Sequence, residues 1–146
     1  MAERKVQVFF YGSFMNLKVL EEAGLKKRPF APACIHGYEL TVQPHANITE
    51  SGDGVVYGIL ANMTHAELEV LYGGHLASIT DAPYHPEAML VFTRGGKIAP
   101  AMVYIATDMK PGIADGVYID RLIKAASDYG FPAWYRERIA SFKAPD

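Results

Sequence analysis

The chain reads as an α+β domain, and three observations predict it. Short apolar segments with strand character crowd its first two thirds, helical periodicity dominates the last third, and no internal repeat or regular strand–helix alternation links the two. Strands clustered in this way favour a mixed or antiparallel sheet over a doubly wound one. At 146 residues the chain has the size of one domain, residues 1–146, and such a domain buries roughly 70% of the surface its extended chain exposes.

The elements follow in order. Lys5–Tyr11 is apolar on both faces and predicts a central strand. Gly12-Ser13 breaks it, and Asn16–Glu22 predicts a short helix opened by Asn16. Arg28–Pro32 leads into a second strand around Cys34–Val42, and polar, turn-rich Gln43–Asp53 reads as a long loop. Gly54–Ala61 gives a third strand with two covered faces. Thr64-His65-Ala66-Glu67 fits a capping box, and its helix should end near Tyr72 because Gly73-Gly74 follows.

A loop with Pro83 precedes a strand at about Glu87–Thr93, and Arg94-Gly95-Gly96 turns it into a last strand, Ile98–Ala106. Pro100 places the beginning of that strand at an edge or bulge. Ile119, Leu122, Ile123 and Ala126 recur at helical spacing up to the stop signal Gly130 and Pro132. Pro132 can open a final helix carrying Tyr135, Ile139 and Phe142, and core packing is the expected role of Trp134, Tyr135 and Phe142.

Composition excludes several function classes. Fourteen Lys and Arg against sixteen Asp and Glu leave a net charge of −2, with no basic excess to neutralise phosphates, so no nucleic acid partner is expected. Lys26-Lys27-Arg28 reads as a solvated loop. No run approaches the ~20 apolar residues needed to span a bilayer. Val6–Tyr11 is too short for a signal-peptide core, so a cytoplasmic address is the expectation. Cys34 is the single cysteine, which rules out an intrachain disulfide and a cysteine-based zinc site; it should be buried and inert. The five histidines lack any short ligand spacing, so no metal is expected.

The strongest local feature is Tyr11-Gly12-Ser13-Phe14-Met15-Asn16. A central strand delivers the backbone to Gly12, a helix starts soon after, and amides at such a place can hold an anion or carboxylate. A plain strand-to-helix turn carries the same pattern. The segment is neither a nucleophile elbow nor a phosphate loop, since the second glycine is missing from both and the lysine from the latter. Glu87 enters an otherwise apolar strand, where half-burial would raise its carboxyl above the reference of about 4.3 and suit it to general base work. A solvent-facing strand end is the alternative. His75 could shuttle protons from a glycine-rich loop or simply be exposed, and Asn47 could donate an amide to a bound carboxylate or serve a turn. Glu69 reads as a surface residue, and Glu39 as the wet side of the second strand.

Phe10-Tyr11-Gly12-Ser13 resembles the signature loop of the γ-glutamylcyclotransferase-like family. Gly54–Leu60 is similar to that family's next diagnostic strand, Glu67–Leu71 to the helix after it, Tyr84 to the tyrosine opening the following strand, and Tyr118–Ala126 with Tyr129-Gly130-Phe131-Pro132 and Tyr135 to its closing segment. The resemblance implies a small mixed β-barrel flanked by helices, with a cavity at the signature loop. It implies conversion of a γ-glutamyl amine or peptide to 5-oxoproline without a cofactor, and a possible homodimer. On that resemblance Tyr11, Gly12, Ser13, Phe14, Met15, Asn47 and Tyr84 would bind the substrate, and one glutamate would be the acid/base. The family carries that glutamate in an acidic-glycine turn. Here the corresponding Leu71-Tyr72-Gly73-Gly74-His75 has no carboxylate, so the role falls to Glu87 or to His75, with Glu87 preferred. A non-catalytic carboxylate-binding protein and an amide hydrolase are the alternative functions on the same fold.

Overall fold

A computed structural model describes residues 4–76 and 82–144 of the chain. Its strands are β1 (Lys5–Phe10), β2 (Phe30–Val42), β3 (Ala46–Thr64), β4 (Tyr84–Thr93) and β5 (Ile98–Ala106). They close into a barrel in the order β1-β3-β2-β4-β5. Every neighbouring pair is antiparallel except β1 and β5, which run parallel and meet at Val8 opposite Met102 and Phe9 opposite Val103. The mixed-sheet α+β architecture expected from the strand pattern is the one observed.

β1 is central because both of its faces are covered. Val8, Phe9 and Phe10 are all buried, and each such side chain stabilises the fold by roughly 1.5–3 kcal/mol relative to exposure. β5 is different at its two ends. β1 reaches only Met102 and Val103, so the beginning of β5 has β4 on one side alone, and Pro100 sits on that unpaired stretch as its chemistry requires.

The largest departure from expectation lies between β2 and β3. Instead of a loop over Gln43–Asp53, the turn is confined to residues 43–45, with a cis Gln43–Pro44 bond, and β3 runs for 19 residues from Ala46. Ala46 and Ile48 are buried while Thr49 and Glu50 are exposed, so this stretch faces water on one side, and its polar residues gave it the look of a loop. β2 likewise starts at Phe30, ahead of Cys34, and β4 at Tyr84, ahead of Glu87. Cys34 is half-buried, not fully enclosed, and burial pushes its thiol up from the ordinary range.

The helices sit outside the barrel. A 3₁₀ turn, Ser13–Met15, leads into α1 (Leu17–Glu22), whose cap is Asn16, the side chain accepting from Lys18 N–H at 3.0 Å. The capping box forms as expected at α2 (His65–Leu68): Thr64 Oγ1 accepts from Glu67 N–H at 3.1 Å, and Glu67 Oε1 accepts from Thr64 N–H at 2.9 Å. The helix does not stop near Tyr72 but widens into a π-helical segment, Glu69–His75. α3 (Gly116–Asp128) buries Ile119, Leu122, Ala125 and Ala126, and α4 (Ala133–Ala140) buries Tyr135 and Ile139. Trp134, expected in the core, is 51% exposed, because its neighbour Tyr135 takes the inward side of α4. No helix among the described residues is long and apolar enough to cross a membrane.

Two polar clamps fix these parts. Arg28 donates to Glu67 and to the carbonyl of Asn62 at 3.2 Å, tying the start of α2 to the entry of β2. That guanidinium holds the Glu67 carboxyl down at about 2, against partial desolvation that pushes the other way. At the opposite end Asn47 grips β5: its Nδ2 donates to Ala106 O at 2.8 Å and its Oδ1 accepts from Ala106 N–H at 3.1 Å.

A depressed carboxyl contributes stability that is complete above its unfolded value and is lost as pH falls through its folded one. Denaturant melts should therefore show a loss between about pH 4.5 and pH 2 that is missing in Glu67→Gln, whose stability at neutral pH is lower by about 1–3 kcal/mol. Asn47→Ala strands both backbone groups of Ala106 and should cost about 1–3 kcal/mol in the same measurement.

Candidate functional site

The chain leaves the barrel at Tyr11 and turns sharply, with Met15 N–H donating to Gly12 O and Asn16 N–H to Ser13 O, each at 3.0 Å. A small pocket of about 30 Å³ opens beside this turn. Gly12 is favoured there by crowding. A Cβ at this position would stand 3.0 Å from Ala46 Cβ and 3.6 Å from Tyr118 Oη, so its absence lets the first turn approach the start of β3 and the head of α3.

Opposite the turn, rings build the wall. Tyr72, from the π-helical segment, stacks on Tyr104 of β5 with centroids 3.8 Å apart and planes at 12°. Phe14 meets Tyr72 edge-on at 5.3 Å, and Tyr84 of β4 lies 6.2 Å from it. The phenols are held by the backbone. Tyr11 Oη donates to Tyr104 O and Tyr84 Oη to Ala46 O, both at 2.5 Å, while Tyr118 Oη accepts from Ala46 N–H at 2.9 Å. Ala46 thus commits both of its main-chain groups to tyrosines of the site.

Electrostatically the wall is neutral. Burial raises the phenols of Tyr11, Tyr72, Tyr84 and Tyr104 above their ordinary range. Tyr118 is pushed up to about 12 by burial, with Ala46 N–H and the polar groups of Ser13 offsetting part of the rise. All five are therefore protonated near neutral pH, and no carboxylate, ammonium or guanidinium is among the described lining residues. Such a wall can offer hydrogen bonds and ring faces, but it holds no ion. The described residues contain no group of three side chains fit to ligate a metal.

Of the residues singled out in the sequence, Tyr11, Gly12, Ser13, Phe14 and Tyr84 come together around the pocket. Met15 does not: its side chain is fully buried in the core, and its carbonyl accepts from Tyr129 Oη at 2.6 Å. Asn47 spends one Nδ2 hydrogen and its Oδ1 on Ala106, and it is not among the residues lining the pocket. Glu87 is exposed and lies outside the pocket wall, contrary to the half-buried placement expected of a carboxylate entering an apolar strand. It stands toward the open end of β4, where Pro86 and Ala88 are exposed too. The side chain of His75 lies outside the described residues.

Tyr72, Tyr104 and Tyr118 were missed as site residues. Tyr118 carried a signal, since it falls four residues before Leu122 on the buried face of α3. Tyr104 carried none without the register. The pairing of Tyr84 with Ala106 and of Pro86 with Tyr104 sets the two tyrosines diagonally across β4 and β5.

Comparison with known proteins agrees with this geometry. A structure described as a γ-glutamyl cyclotransferase superposes with a TM-score of 0.79 at 19% identity, covering 98% of this chain and 90% of the other. An uncharacterised protein of Homo sapiens gives 0.78 at 20% identity over 99% and 91%. A γ-glutamyl cyclotransferase from yeast, described as specific to glutathione, gives 0.60 at 12% identity over 95% and 97%. At these identities the likeness is one of fold. A search of curated proteins finds no significant match. The sequence model of the family described as "Gamma-glutamyl cyclotransferase, AIG2-like" matches residues 8–120, a stretch that runs from β1 through the tyrosine at the head of α3, and the chain belongs to that family.

Proposed function

We propose that the protein converts a γ-glutamyl amine into 5-oxoproline and the free amine, with the glutamyl group held beside the Gly12-Ser13 turn in the tyrosine-lined pocket. The observation that carries this reading is the neutral, ring-lined pocket beside that turn. In the reaction the substrate's α-nitrogen attacks its own γ-carbonyl carbon, the bond from that carbon to the leaving nitrogen breaks, and one proton passes from the first nitrogen to the second. Nothing else is consumed. The nucleophile is tethered to its target, so folding the substrate into a five-membered arrangement is most of the task.

A neutral wall suits that chemistry. The α-amine must be uncharged to attack, and removal of water disfavours its ammonium form. Negative charge gathers on the γ-carbonyl oxygen as the ring closes, and fixed dipoles at the turn and at the Tyr118 hydroxyl can meet it without being neutralised. The Ala46 N–H on the Tyr118 oxygen polarises that hydroxyl toward donation.

One observation favours a second reading, in which the pocket binds a small carboxylated ligand without turnover: the described part of the wall has no carboxylate or imidazole. Incubation with a panel of γ-glutamyl amines separates the readings. We expect 5-oxoproline; binding without product would favour the second reading, and release of free glutamate would mark an amide hydrolase.

Tyr118→Phe should lower kcat/KM for oxoproline formation by about 10–100-fold, measured by steady-state kinetics on protein whose folding is verified by circular dichroism. The wild-type rate should rise with pH as the substrate amine, with a reference value of about 8, loses its proton. Since the Tyr118 phenol lies at about 12, its ionisation should produce no descending limb up to about pH 10.

A further inference from the structure

The pocket beside the Gly12-Ser13 turn is small, about 30 Å³, so a γ-glutamyl amine cannot lie wholly inside it. With the glutamyl group at the turn, the leaving amine has to extend over the surface that adjoins the wall. Two wall tyrosines lead onto such a surface. Tyr84 opens β4, Tyr104 lies near the end of β5, and both line the pocket.

The register of the hairpin defines that surface. Pro86 stands opposite Tyr104, Ala88 opposite Met102 and Leu90 opposite Pro100. Opposed residues of an antiparallel pair share a face, as do alternate residues along a strand. One face of the hairpin therefore continues from Tyr84 and Tyr104 through Pro86, Ala88 and Met102 to Leu90 and Pro100, and past the two tyrosines it is wholly apolar. Met102 is half-buried and the other four are exposed; Leu90 shows 59% of its surface. The ionisable residues of this stretch of β4, His85 and Glu87, fall on the opposite face. Exposed apolar residues are ordinary when scattered, but a contiguous strip that runs into a pocket wall marks a binding surface.

We infer that this face seats the leaving amine and selects γ-glutamyl derivatives of apolar alkyl or aryl amines over those of amino acids and diamines, an assignment that rests on the reading that the pocket forms 5-oxoproline. An alkyl chain laid on Pro86 and Ala88 removes apolar surface from water on both sides of the contact. A carboxylate or ammonium in the same place gives up hydration and meets no partner on the strip. Ala88 lies about 7 Å along β4 from Pro86 at the rise of a strand, within reach of a hexyl chain whose nitrogen is at the pocket mouth.

The experiment measures kcat/KM for 5-oxoproline formation on the γ-glutamyl derivatives of methylamine, butylamine, hexylamine, diaminohexane and alanine. In the wild type the value should rise by about twofold per added methylene, and the diaminohexane and alanine derivatives should fall at least about tenfold below the hexylamine one. Ala88→Asp, a change at an exposed position, should lower the hexylamine value by at least about fivefold and leave the methylamine value within about twofold. A wild-type series that stays flat, or one that favours the diamine or the amino acid, overturns the inference and leaves the proposed reaction standing. So does a rising series that Ala88→Asp does not alter. If the series is flat and Ala88→Asp turns a dimer into a monomer in sedimentation, the face is instead a contact between copies of the chain. A wild-type protein that yields no 5-oxoproline from any of these amines overturns both the inference and the reaction.

Discussion

The site depends on where two residues, Ala46 and Asn47, are held at the start of β3. Ala46 gives its N–H to Tyr118 and its carbonyl to Tyr84, and Asn47 locks both main-chain groups of Ala106. Four elements therefore meet at one point: β3, β4, the end of β5 and the head of α3. Gly12 then brings the first turn to within contact of the same point. Each of these bonds is worth only about 1 kcal/mol net, but leaving any partner unmade in a buried place costs more. Geometry is thus enforced by the penalty of disorder at the junction more than by the strength of any one contact.

What the sequence made legible were features decided by near neighbours. β1 shows as an apolar run, the Thr64–Glu67 box as a reciprocal cap, and α3 as a stripe of Ile119, Leu122 and Ala126; each depends on residues within a turn or two. Tyr11 to Phe14 were recognisable as part of a site for the same reason, since they are contiguous. The first half of β3 was not. Its burial alternates from Ala46 to Thr49, but the exposed Thr49, Glu50 and Asp53 weighted the composition toward a loop, and only pairing with Tyr38–Val42 makes it a strand.

The rest of the pocket was hidden because barrel closure assembles it. Tyr72, Tyr84, Tyr104 and Tyr118 are separated by a dozen or more residues, and their convergence follows from register and helix placement that no local pattern encodes. Glu87 shows the converse error. A carboxylate beside an apolar run suggested burial, yet β4 is exposed on both faces from His85 to Ala88, and Glu87 stands open to water. Asn47 was singled out for its amide, and that amide serves the scaffold.

A consequence follows from the wall of uncharged phenols. At physiological ionic strength dissolved ions largely screen exposed formal charges more than about 8 Å apart, but they have little hold on short dipolar contacts inside a ring-lined recess. Capture of a zwitterionic guest by this wall would then be governed by shape and hydrogen bonding, and its affinity would stay nearly level across buffers from dilute to concentrated salt. A site built on guanidinium or ammonium groups would lose its grip along the same series.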